Sequence, residues 1–142
     1  MSTLRVAPSH SHPAVTGKPL LWLRAEGLIE VVAALLVFHT THQSWWLVVL
    51  ILVPDLAMMG YLAGTRIGAA LYNIGHSQSA PILLALASLE WRHPLLLALA
   101  LLWLAHIGPD RACAYGLKYD TDFKDTHLGG SEDRPPSVAR PE

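Results

Sequence analysis

Four apolar runs of roughly twenty residues, separated by short polar clusters, set the pattern of the chain. They cover about Pro19 to Phe38, Ser44 to Gly64, Gly68 to Leu89 and Pro94 to Leu117. At about 1.5 Å per helical residue each run matches a bilayer core. The separators His39 to Gln43, Thr65-Arg66 and Glu90 to His93 are too short to join anything but antiparallel neighbours. The pattern therefore predicts an all-α fold, an integral membrane antiparallel four-helix bundle. Trp45-Trp46 and Trp91 stand where interfacial aromatic anchors belong, and Trp22 and Trp103 are expected to face lipid or its interface. Pro54 predicts a kink in the second helix, while Gly68, Ala69, Ala70 and Gly75 allow close helix approach in the third.

The flanks read differently. Residues 1–18, rich in Ser, Thr, Pro and His, form a flexible arm in which His10 and His12 could take up a metal only adventitiously. Residues 19–117 make the transmembrane domain, and 118–142 a polar tail whose first half, with its aromatics and His127, is expected to fold back. The first apolar run carries Glu26 and Glu30 and leads into further runs, which suits a retained helix rather than a cleaved leader. Arg5, Lys18, Arg66, Lys118, Lys124, Arg134 and Arg140 fall on one side of the expected bundle and Arg92 alone on the other, which places both termini in the cytoplasm.

Composition agrees with a membrane protein: 52% of the 142 residues are hydrophobic, 15% are charged, and the mean hydropathy is +0.35. A formal charge of -1 and the lack of a basic patch exclude nucleic acid as the expected partner. The lone Cys113 rules out an internal disulfide.

Against that background the ionisable residues inside the runs stand out, because charge at membrane depth is expensive. His106 and Asp110, spaced i, i+4, share one helix face. Counted from the cytoplasmic end, Glu26, Glu30, Asp55, His76, His106 and Asp110 all lie about 9–17 Å deep, in a single layer to which every helix contributes. Imidazole and carboxylate together suit zinc, manganese or non-haem iron, and a cation would compensate the desolvated acids. Asp55, His76, His106 and Asp110 are the candidate metal ligands. Glu26 would be a further ligand or the general base, and the deeper Glu30 a weaker candidate. Asn73, Tyr72 and His127 would orient ligands or a water from behind. Arg111, about 100° around the helix from Asp110, would pair with a neighbouring acid or bind phosphate.

Several of these residues also carry a resemblance. Pro54-Asp55-Leu56 with Gly60 to Gly64, Tyr72-Asn73 with His76, His106-Ile107-Gly108 with Asp110-Arg111, and Tyr115 to Tyr119 with Phe123 and Thr126 to Gly129 resemble the bacterial domain of unknown function 4260 family over about residues 20–130. That family consists of small integral membrane proteins without an assigned chemistry. Pro54-Asp55, His76 and His106 with Asp110 also follow, in order, elements of the membrane-bound metal-dependent hydrolases of the LexA-regulated inner-membrane type. Here Tyr72-Asn73 stands where those hydrolases tend to place His-Arg. The resemblances imply a multi-pass protein of the bacterial inner membrane.

The leading expectation is a metal-dependent hydrolase acting on a lipid or amphiphilic phosphate or ester, surrounded by membrane lipids and open to homo-oligomerisation or a larger complex. Two other classes remain: a haem-binding electron carrier using His76 and His106 as axial ligands, and a proton-linked transporter or accessory subunit without catalysis.

Overall fold

The computed structural model describes residues 14–129. Within them the chain is all-α: α1 (Gly17–Thr40), a 3₁₀ helix (Trp45–Ala63), α2 (Thr65–Gly75), α3 (Ser79–Glu90) and α4 (Pro94–Ala112). His10, His12, Arg134 and Arg140 lie outside the described residues. Helix starts follow local chemistry. Ser44 caps the 3₁₀ helix by accepting from the Trp46 amide, and Pro94 opens α4 where its missing N–H leaves nothing unpaired.

Three of the expected runs change shape. The third is two helices, broken at His76-Ser77-Gln78: Gly75 closes α2, His76 departs from helical backbone at φ -113° and ψ 11°, and Pro81 sits in the first turn of α3. A proline there has no N–H to give the preceding turn, so the ladder cannot run through. The second run is 3₁₀ rather than kinked α. Pro54 removes one amide from its ladder, and none of its 19 residues is buried, so no core packing holds it to the α period. The fourth helix stops at Ala112, five residues earlier than the apolar pattern suggests. Ala114 turns the chain at φ 66°, and the Tyr115 amide closes back on the Asp110 carbonyl at 2.7 Å.

The tightest seam joins α1 to α4. A Cβ on Gly27 would lie 2.5 Å from the Gly108 carbonyl oxygen and 2.8 Å from the Ala112 amide, so only glycine lets the two backbones meet. Arg24 Nε fastens the same seam to the Ala112 carbonyl at 2.6 Å. An apolar cluster closes each end of α4. Phe38, Ala98, Leu101 and Leu102 pack at one end, and Leu20, Ala114 and Leu128 at the other. The polar layer lies between them. Two helices, Trp45–Ala63 and Pro94–Ala112, are long and apolar enough to cross a membrane.

After α4 the chain folds back as a loop over residues 115–129. Lys118 and Thr126 form an antiparallel bridge, and the Val15 amide donates to the His127 carbonyl at 2.9 Å. Asn73 clamps this loop to α2: its Nδ2 donates to the Lys118 carbonyl at 2.8 Å and its Oδ1 accepts from the Lys118 amide at 2.7 Å.

Candidate metal centre

The break between α2 and α3 builds the site. A Cβ on Gly75 would sit 3.3 Å from both Ala57 Cβ and the Pro54 carbonyl oxygen, so the missing side chain lets the 3₁₀ helix close on the end of α2. Asp55, the next residue after Pro54, is thereby carried to His76. Opposite them, α4 presents His106 and Asp110 from one face.

The four side chains converge. His76 Nε2 lies 3.1 Å from His106 Nε2, 3.5 Å from Asp55 Oδ1 and 3.6 Å from Asp110 Oδ2. His106 Nε2 lies 3.5 Å from Asp55 Oδ1 and 3.8 Å from Asp110 Oδ2. Asp55, His76 and His106 alone already satisfy the proximity a metal ion needs. A tetrahedral ion with bonds of about 2.0–2.2 Å holds its ligand atoms about 3.3–3.6 Å apart; the Asp55, His76 and His106 atoms, 3.1–3.5 Å apart, come near that spacing and leave a fourth position, with Asp110 beside them at 3.6 and 3.8 Å from the two imidazole nitrogens. Two neutral imidazoles and two carboxylates also balance a divalent charge.

Backbone contacts prepare His76 for that role. Its Nδ1 lies 2.9 Å from the Tyr72 carbonyl oxygen, which can only accept, so the ring proton sits on Nδ1 and Nε2 offers a lone pair. The Tyr72 ring stacks on the imidazole with centroids 3.7 Å apart. The carbonyls freed by the helix break are also taken up: Trp103 Nε1 donates to Gly75 O at 2.6 Å and Arg111 Nη2 to His76 O at 3.0 Å. Thus α4 supplies two candidate ligands and fastens the segment bearing a third. Gln78, in the same break, donates to Glu30 at 2.6 Å and ties it to α1.

The remaining sequence candidates take other places. Glu26 is exposed and lines a neighbouring cavity of about 200 Å³ with Leu23, Gly27, Gln78, Arg111, Leu117, His127 and Leu128. Gly27 turns into the α4 seam, and its neighbour Glu26, about 100° around the helix, points elsewhere. Glu26 takes no part in the contacts among the four converging side chains. Arg111 pairs with no acid among the described residues; its guanidinium donates to the carbonyls of His76 and Tyr115 instead. Asn73 clamps the loop rather than touching the four. His127 Nδ1 accepts from the Leu117 amide at 2.9 Å. Burial holds the His127 imidazole below its ordinary value, with Arg111 acting the same way and the Leu117 carbonyl opposing.

Sequence reasoning missed three contributors. Trp103, expected at lipid, turns inward to bind the break. Gln78 was not singled out, although a polar residue after a glycine and before Pro81 is a boundary signal. Lys118 stands in the sequence as a topology charge and a member of the Tyr115 to Tyr119 run, with no sign of the rings it meets. Its Nζ lies 3.2 Å from the Phe123 ring centroid, 4.6 Å from that of Tyr72 and 5.7 Å from that of Tyr61. Burial pushes its ammonium down to about 8, against the opposing pull of Asp110 and Asp122.

The family model described as Domain of unknown function (DUF4260) matches residues 20–130. No curated protein and no solved structure matches the chain.

Proposed function

Since the chain belongs to the family described as Domain of unknown function (DUF4260), a description without chemistry in it, we propose a function from the geometry: an integral membrane protein in which Asp55, His76 and His106, with Asp110 beside them, hold one divalent ion and hydrolyse a lipid or amphiphilic phosphate or ester. The observation that carries it is the convergence of two imidazole nitrogens and two carboxylate oxygens at 3.1–3.8 Å. Zinc suits that nitrogen and oxygen set and its spacing best, ahead of manganese and iron.

The membrane placement rests on where the apolar surface points. Trp46 and Leu62 are each 88% exposed, and Trp22, Val49, Leu52, Ile29 and Leu83 are all largely exposed too, the kind of exposed large apolar side chains that mark a membrane or partner surface. In this placement α1, the 3₁₀ helix, the broken α2–α3 pair and α4 are the spanning segments, with both termini cytoplasmic in a bacterial inner membrane. A helix broken at membrane depth is tolerated where its freed carbonyls find partners, as Gly75 and His76 do here.

A divalent ion bound there supplies Lewis acidity and a water that ionises near neutral pH. With Asp55, His76 and His106 as ligands and the fourth position left to water, Asp110, 3.6 and 3.8 Å from the imidazole nitrogens, is the carboxylate placed to take the proton from attacking water. Arg111 stands beside Asp110, where its guanidinium can hold an anionic substrate group. His76 keeps its orientation through the Tyr72 carbonyl, so its lone pair stays directed at the centre.

The haem alternative loses support from the same geometry. With carboxylate oxygens beside both Nε2 atoms and those atoms 3.1 Å apart, there is no plane for a macrocycle between the imidazoles.

Elemental analysis of the detergent-purified protein tests the proposal. About one zinc per chain is expected, lost in His106→Ala and in Asp55→Ala. A folded wild type without stoichiometric metal would overturn the metal reading and favour a proton relay or an accessory subunit.

A further inference from the structure

The cavity beside the metal centre has a chemistry of its own. Arg111 is partly buried and carries a full charge, yet it forms no ion pair among the described residues. Asp110 turns its carboxylate to the two histidines, and Glu30 accepts from Gln78. The guanidinium spends two N–H groups on the carbonyls of His76 and Tyr115 and keeps others for the cavity it lines. Asp110 and Glu30 act on its charge only from beyond ion-pair distance, so a partly desolvated cation with no carboxylate in contact faces the cavity, a setting that suits an anion.

A second donor faces the same space. His127 Nδ1 lies 2.9 Å from the Leu117 amide nitrogen, which can only donate, and 3.4 Å from the Leu117 carbonyl; the shorter amide contact favours the tautomer whose proton sits on Nε2, the other side of the imidazole. Gln78 adds an amide to the lining. Guanidinium, imidazole N–H and amide together offer more donors than a carboxylate takes and suit the oxygens of a phosphate.

Glu26, on the same wall, would repel a purely anionic ligand. It suits one that also carries an ammonium group. Leu23, Leu117 and Leu128 complete the lining. At about 200 Å³ the cavity holds a head group rather than a whole amphiphile. Apolar chains have a place to go, however: Trp22, Glu26 and Ile29 share one face of α1 by spacing, and Trp22 and Ile29 are 71% and 68% exposed.

We propose that this cavity binds the head group of a zwitterionic phospholipid, with its phosphate between Arg111 and His127, its ammonium group at Glu26 and its acyl chains along Trp22 and Ile29. The inference rests on the membrane placement proposed above but not on the metal.

Calorimetric titration of the full-length, delipidated protein in detergent tests it. The probes are dihexanoyl-glycerophosphoethanolamine, dihexanoyl-glycerophosphoglycerol and chain-free glycerophosphoethanolamine. The wild type is expected to prefer the phosphoethanolamine lipid over the phosphoglycerol lipid by about fivefold or more, and over the chain-free compound by about tenfold or more. Glu26→Gln, at an exposed position, should abolish the first preference. Arg111→Gln should weaken both lipids by about tenfold or more. His106→Ala, whose zinc content is measured on the same sample, should bind the lipid as the wild type does, so that loss of metal and loss of lipid binding are separable. Equal affinity for the two lipids would overturn the ammonium assignment. Equal affinity for the chain-free compound would replace the lipid by a soluble phosphate, and no binding of any probe would overturn the site altogether.

Discussion

The 3₁₀ helix and α4 have 19 residues each, and both are apolar enough to cross a membrane, yet they spend their apolar residues in opposite ways. None of the residues in the 3₁₀ helix is buried, whereas α4 buries Ala98, Ala100, Leu101, Leu102, Ala105, His106, Ile107 and Gly108. Hydropathy alone cannot separate a core helix from a lipid-facing one; burial can. In α4 the apolar side chains build the protein interior, and this helix by itself would suit a soluble fold. The 3₁₀ helix offers no such explanation, since Trp46, Val49, Leu52 and Leu62 point away from the rest of the chain. To the candidate centre it contributes Asp55, while α4 contributes His106 and Asp110. The centre is thus assembled from a rigid half and a half carried by an outlying helix.

The largest expected effect breaks the rigid half. Gly27→Val puts a branched side chain against the Gly108 carbonyl and the Ala112 amide, backbone atoms that cannot step aside. A loss of at least about 3 kcal/mol is expected, read as a collapse of the folded fraction in thermal unfolding in detergent. Leu62→Ala, at the exposed end of the 3₁₀ helix, should change stability by less than about 0.5 kcal/mol. Comparable losses in the two variants would show that the contrast in burial carries no energetic weight.

Leu52→Lys sharpens the comparison on its other side. Leu52 is 61% exposed, so in water the lysine would be nearly neutral, whereas near the bilayer centre it should cost about 2.5–3.5 kcal/mol. A strong fall in membrane-inserted protein is expected, measured by carbonate extraction of membranes. An unchanged level would remove the main support for lipid around this helix.

The division of ligands gives a third, smaller contrast. His106→Ala removes a ligand from the rigid half and should lose metal outright, whereas Asp55→Asn keeps a neutral oxygen on the outlying helix. Asp55→Asn should weaken zinc by roughly a hundredfold, about 2.7 kcal/mol, in a competitive chelator titration. Equal loss in both would mean that the 3₁₀ helix holds its acid as firmly as α4 holds its histidine.

What could be read beforehand follows the same division. The i, i+4 pair of His106 and Asp110 needs only a helix to bring it to one face, and an apolar run of that length supplies one. Asp55 after Pro54, and His76 in the next run, were visible as costly polar residues at matching depth. The break at His76-Ser77-Gln78 was obscured because the apolar pattern resumes in α3 with no change of character. Its local signals, Gly75 before and Pro81 after, are weak, since glycine equally permits close helix packing and proline is tolerated in a first helical turn. No sequence pattern distinguishes a 19-residue 3₁₀ helix from an α-helix when no residue is buried to impose a period. Glu26 lies apart from the four for a different reason: depth along a helix fixes its layer, whereas direction around the helix depends on Gly27 meeting Gly108, a tertiary contact.

Lys118 joins the two halves, and its titration gives the smallest of the expected effects. It leaves the end of α4 and lies over the rings of Tyr61 from the 3₁₀ helix, Tyr72 from α2 and Phe123. With the folded loop holding its ammonium down to about 8, against an ordinary value near 10.5, an opened loop binds more protons than the closed one between those two pH values. Closure therefore gains as pH rises through that window, and below about 8 both forms are charged and the full desolvation cost remains. His127 acts in the same sense at lower pH: its depressed value weakens the loop as pH falls below about 6.5. Hydrogen exchange of the amides in residues 115–129, corrected for the intrinsic pH dependence of exchange, should show protection rising from pH 5 to 7 and again from pH 8 to 10. Lys118→Met should erase the upper rise and His127→Gln the lower one. A profile in which Lys118→Met leaves the upper rise intact would place the titrating group elsewhere and sever the proposed link between the loop and the outlying helix.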